Sequence, residues 1–125
     1  MNNTTLIIDS HEDTPTITLE KGLSVNKINI TGISMPENAF EFYDSLLKKF
    51  TDFFGTFQNT ELDIKIEYMN SMSNKQLVKL IVNCYELDKQ LVTKWHYAKD
   101  DDLIKMKGEE IRDIYPNINI QLEEY

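Results

Sequence analysis

The sequence predicts a single α/β domain, a mixed sheet with helices packed mainly on one face. Three observations carry this expectation. Short stretches of alternating apolar and polar residues recur along the chain, the pattern of strands with one solvated face. Between them lie stretches whose apolar residues fall three and four apart, as on helices with one buried side. From Ser24 onward the two kinds follow one another in turn, and strand–helix–strand units require parallel neighbours joined by right-handed crossovers. At 125 residues the chain has enough material for one core.

Residues 1–14 read as an N-terminal arm or edge strand, with Leu6-Ile7-Ile8 as the apolar run within it. Residues 15–125 form the domain. Thr16-Ile17-Thr18-Leu19 alternates, Lys21-Gly22 turns, and Ile28 and Ile30 alternate with Lys27 and Asn29, giving a hairpin. Ser34-Met35-Pro36-Glu37 has the form of a capping box, with Ser34 opening the first helix. That helix carries Ala39, Phe42, Tyr43, Leu46, Leu47, Phe50, Phe53 and Phe54 on its apolar side and stops at Gly55. Leu62, Ile64, Ile66 and Tyr68 then alternate with Asp63, Lys65 and Glu67 in a strand. Ser73 and Gln76 form a second capping box, so Ser73 is the expected N-cap of a helix burying Leu77, Leu80, Ile81, Cys84, Leu87 and Leu91. Val92 to Tyr97 is a further strand. The acidic run Asp100-Asp101-Asp102 starts a third helix with Leu103, Met106 and Ile111 as core positions, weakened by Gly108. A last strand carries Ile118, Ile120 and Leu122.

Composition narrows the function classes. Thirteen basic residues stand against 21 acidic ones, a formal charge of -8, which disfavours nucleic-acid binding through phosphate contacts and attraction to anionic lipid. No signal peptide and no stretch long enough for a membrane span are visible, so no direct membrane insertion and a cytoplasmic location are expected. One cysteine and two histidines leave no metal site in view. Phosphate loops, nucleophile elbows and metalloprotease helices are absent, and no catalytic residue or cofactor is expected. An enzymatic reading rests on His96 paired with Asp100 or Asp101.

Helices that follow parallel strands begin at one edge of the sheet, where α/β proteins place their sites. Ser34 to Asn38, Met69 to Ser73 and Tyr97 to Asp102 should therefore be neighbours. Asn70, Ser71 and Ser73 are good turn and capping residues in their own right. They also admit a functional reading, in which Ser71 is a phospho-acceptor. Its phosphate would be held by the first-turn N–H groups and the helix dipole, with Lys75 one turn away.

Ile30-Thr31-Gly32-Ile33-Ser34-Met35-Pro36-Glu37-Asn38, Tyr68-Met69-Asn70-Ser71-Met72-Ser73 and Trp95-His96-Tyr97, with Gly108-Glu109-Glu110 beyond, resemble the SiaC family of bacterial regulatory phosphoproteins. The resemblance runs from about Pro15 onward. The family is similar in architecture to anti-sigma-factor antagonists with the STAS fold. The resemblance implies a partner-switching protein, phosphorylated by a dedicated Ser/Thr kinase and dephosphorylated by a PP2C-type phosphatase. Its unphosphorylated form would bind and activate a diguanylate cyclase in cyclic-di-GMP signalling and biofilm formation. By position the acceptor is Ser71, with Ser73 a second candidate. Met35, Pro36, Glu37, Asn38, Met69, Asn70, Met72 and Lys75 then form the partner surface. The alternative is a small anion- or nucleotide-binding module that uses the same helix starts and needs a concave pocket there.

Overall fold

Strands and helices follow one another in the predicted order. The computed structural model describes residues 5–125; the first four residues of the N-terminal arm lie outside them. The elements are β1 (Thr5–Ile8), β2 (Thr16–Glu20), β3 (Asn26–Ser34), α1 (Ala39–Phe54), β4 (Thr60–Met69), α2 (Ser71–Leu87), β5 (Val92–Tyr97), α3 (Asp102–Ile114) and β6 (Asn119–Glu124). The strands lie in the sheet in sequence order. β1 to β3 form an antiparallel meander, and β3 to β6 are parallel. Each helix carries the chain one strand further in the same direction, so right-handed crossovers stack all three on one face.

The core lies between that face and the helices. Ile30, Leu62, Ile64 and Trp95 meet Phe50 and Leu77 in one buried cluster. The other face is polar. Glu61 lies 3.6 Å from Lys27 and 3.4 Å from Lys94 across neighbouring strands. Burial of residue types at alternate positions holds the register, since a one-residue slip would turn Ile64 outward and Asp63 inward.

The helix starts differ from the capping boxes seen in the sequence. Ser34 is still strand: it pairs with Met69 in the β3–β4 ladder, is fully buried, and hydrogen-bonds the Tyr43 hydroxyl. The ladder takes Ser34 before a helix can begin, and α1 is capped by Asn38, whose Oδ1 accepts from the Glu41 N–H at 3.1 Å. Likewise α2 is capped by Asn70, which accepts from the Ser73 N–H at 2.9 Å. Asn is as good a cap as Ser, and Ser73 falls inside the first turn, where it is buried. The acidic run does cap α3, through Asp101.

The α3 core side is also different. Ile104, Gly108 and Ile111 face the sheet, while Leu103 and Met106 are exposed. The cause is the fit at Gly108, where a Cβ would lie 2.4 Å from the Trp95 ring. Only this turn of the helix lets its backbone approach the indole. On α2, Leu87 is exposed at the helix end, and Leu91 beyond it is buried.

Cys84 is buried on the inner side of α2. Burial, with the nearby Asp88 charge adding to it, pushes its thiol up to about 12. The thiolate is the reactive form, so a disulfide reagent at mildly alkaline pH should leave Cys84 unmodified in the folded protein. Stoichiometric reaction should follow addition of denaturant; rapid labelling without denaturant would contradict this placement.

Candidate phosphorylation and partner site

The turns after β3 and β4 are joined directly. The Asn70 N–H donates to the Ser34 carbonyl at 3.4 Å, and the Met35 N–H donates to the Asp13 carbonyl at 2.7 Å. The third turn is tied in through the end of the chain. The Tyr125 N–H donates to the Tyr97 carbonyl at 3.0 Å and the Lys99 N–H to the Tyr125 carbonyl at 2.9 Å. The Lys65 ammonium sits 4.1 Å from the Tyr125 ring centre. Desolvation, then the charges of Glu67 and Asp101, raise the Tyr125 phenol above its usual range. Two of the three expected turns are thus joined directly, and the third is tied to Tyr125, whose ring reaches Lys65 on β4.

Ser71 is the first residue of α2 and is exposed. Asn70 occupies the Ser73 N–H, and its carbonyl accepts from Asn74 at 3.0 Å. By helix geometry the N–H groups of Ser71 and Met72 have no intrahelical acceptor. α1 and α3 each carry an acidic residue in the first turn, Glu41 and Asp102, whereas α2 carries none. The positive end of the α2 dipole is therefore uncompensated in a chain rich in carboxylates. Lys75 and Lys79 are exposed one and two turns further on. Ser73, by contrast, is fully buried and its hydroxyl has no partner.

The surrounding surface is composed differently from the sequence expectation. Met72, Glu37, Asn38 and Lys75 are exposed, and Met35 and Asn70 are half-buried. Met69 and Pro36 are buried and offer no surface. A bulge explains Met69. Gly32 pairs with Ile66 but Ile33 pairs with Tyr68, so Glu67 is an extra residue in β4. Gly32 takes φ 114°, open to glycine at no steric cost. The alternation of β4 shifts by one there, turning Met69 into the core and leaving Tyr68 52% exposed.

Two aromatic side chains that the expected partner surface did not include join this edge. One is Tyr68. The other is Phe40, also 52% exposed, lying under the Lys79 ammonium at 5.4 Å. Phe40 stands off the three-and-four spacing of its helix, which was a visible sign of a surface role.

Other candidates separate from this edge. His96 Nε2 lies 2.9 Å from Asp63 Oδ1 on the open sheet face, so the expected pairing with Asp100 or Asp101 is not made. The concavities nearby lie between α1 and α2, lined by Phe40, Tyr43 and Lys79, beside the β3–β4 bulge, lined by Gly32, Ile33 and Glu67, and on the open face around Lys27, Asp63 and Lys94; none of these is lined by Ser71. Among the described residues no group of His, Cys, Asp and Glu is arranged to hold a metal ion, and no helix is long and apolar enough to cross a membrane.

No curated protein matches the sequence. A chain in the crystal structure of the diguanylate cyclase SiaD in complex with its activator SiaC, from Pseudomonas aeruginosa, superposes with a TM-score of 0.77 at 21% identity, covering 96% of this chain and 99% of that one. Apo-SiaC from Pseudomonas aeruginosa gives 0.71 at 21% identity over 97% and 99% of the two chains. A further SiaC structure from Pseudomonas aeruginosa gives 0.75 at 20% identity over 98% and 100%. These similarities establish a shared fold. The model of the SiaC family of regulatory phosphoproteins matches residues 8–125, and the chain belongs to that family.

Proposed function

We propose that this protein is a non-enzymatic, cytoplasmic partner switch whose phospho-acceptor is Ser71. Unphosphorylated, it binds and activates a diguanylate cyclase, and so acts in cyclic-di-GMP signalling and biofilm formation. A Ser/Thr kinase adds the phosphate and a PP2C-type phosphatase removes it. The observation that carries the reading is the exposed Ser71 on the one helix start, among the described residues, without a first-turn carboxylate. The structural likeness to a SiaC chain solved with the cyclase SiaD supports the choice of effector.

Exposure supports Ser71 over Ser73 as the acceptor. A kinase must bring its active site to the acceptor oxygen, and Ser73 presents none of its surface. The effector surface consists of Met72, Glu37, Asn38 and Lys75, with Tyr68 and Phe40 as aromatic anchors. The alternative of a small-anion or nucleotide module needs a pocket at the Ser71 turn, and Ser71 lines none of the nearby concavities. A pull-down from the native cell with wild-type protein and Ser71→Ala tests the proposal. A cyclase should be enriched on Ser71→Ala, and phosphopeptide mapping of the wild type should find phosphate on Ser71. Phosphate on Ser73 alone, or equal cyclase recovery with phosphorylated and unphosphorylated protein, would overturn it.

A further inference from the structure

Helix α3 carries a seam, apolar at its two ends and charged between them, that its own fold leaves largely uncovered. Leu103 is 55% exposed and Ile114 67% exposed, while Ile104, Gly108 and Ile111 pack on the sheet. Lys107 and Glu110 stand between the two on the same side of the helix. The four positions are four, three and four residues apart, which is the seam spacing of a coiled coil. Among the described residues neither Lys107 nor Glu110 takes part in an ion pair.

We propose that α3 is a self-association surface, pairing antiparallel with α3 of a second copy. A two-fold axis between Gly108 and Glu109 sets Leu103 against the partner's Ile114 and Lys107 against the partner's Glu110. Symmetry repeats both contacts. The outer layers of the seam are then apolar and the inner layers are ion pairs of opposite sign. Parallel pairing would oppose Lys107 to the partner's Lys107 and Glu110 to the partner's Glu110, which like-charge repulsion disfavours. The charge order along the seam is thus complementary to itself in one orientation, and that identifies the occupant as a second copy. Met106, 45% exposed, flanks the seam and adds apolar area. A helix of 13 residues spans about 20 Å, a contact at the small end of specific interfaces, so the dimer is weak and reversible.

Sedimentation equilibrium of the full chain, from low micromolar to several hundred micromolar, reads this directly. Wild type should pass from monomer to dimer across the range. Lys107→Glu and Glu110→Lys should each weaken association by about tenfold or more. The double variant should restore it, and an equimolar mixture of the two single variants should form a heterodimer. Far-ultraviolet circular dichroism checks that these surface changes leave the fold intact. A wild type monomeric throughout overturns the proposal. So does a dimer indifferent to the charge swaps, which would place the contact elsewhere.

Discussion

Phosphate at Ser71, or Ser71→Asp, should weaken binding to the effector by about a hundredfold or more and leave the domain folded. Phosphate adds about -1.5 to -2 charge at neutral pH. The fold tolerates it, because the start of α2 offers unpaired N–H groups and a dipole with no carboxylate against it. The interface does not. Met72 is 57% exposed beside the acceptor, and a partner that covers Met72 must also strip water from the phosphate. An unpaired charge buried in an interface costs several kcal/mol, and a loss of about 3 kcal/mol is already more than a hundredfold in affinity. Ser71→Ala keeps the surface neutral and should activate the cyclase constitutively. Cyclase activity titrated with each purified variant checks both statements. Full activation by Ser71→Asp would contradict the direction of the switch.

Gly108→Ala should be the most damaging small substitution in α3. Its new Cβ would sit 2.4 Å from Trp95 Cδ1, 2.7 Å from Trp95 Nε1 and 2.7 Å from Leu122 Cδ2. Trp95 cannot yield cheaply: it is 1% exposed, and its indole N–H donates to the Ile104 carbonyl at 2.8 Å. Overpacking of this kind costs about 1–3 kcal/mol, and displacing the indole from its acceptor adds about 1–3 kcal/mol. Better helix propensity returns only about 1 kcal/mol. A net loss near 3 kcal/mol corresponds to a fall in melting temperature on the order of 10 °C for a domain of this size. Calorimetry with tryptophan fluorescence measures it, and an unchanged melting temperature would show that α3 has room the packing denies.

The order and type of the elements are legible in the sequence because the buried side of each was written at one period. Leu62, Ile64 and Ile66 alternate, and Tyr43, Leu46, Phe50 and Phe54 keep helical spacing. What is not legible depends on neighbours distant along the chain. Tyr68 continues the alternation of its strand on paper, and only the Gly32 conformation in β3 inserts the extra residue that turns it outward. Ser34 fits a capping box, but its strand pairing with Met69 comes first. Apolar residues occur on both flanks of α3, so its rotation is decided by the Gly108 fit against Trp95. A glycine that reads as a weak point in a helix is the reason the helix sits where it does. That Ser71 stands at the start of α2 was legible, although the cap falls on Asn70, three residues ahead of the expected Ser73. The burial of Met69 was hidden by the same bulge that exposes Tyr68.

Titration calorimetry of the purified cyclase with unphosphorylated protein and with a sample stoichiometrically phosphorylated at Ser71 tests the central claim most directly. The unphosphorylated protein should bind, and the phosphorylated one should show affinity lower by about a hundredfold or more, with identical circular dichroism spectra for the two samples. Equal affinity would contradict the switch, and tighter binding of the phosphorylated sample would reverse its sign and place an arginine cluster on the partner.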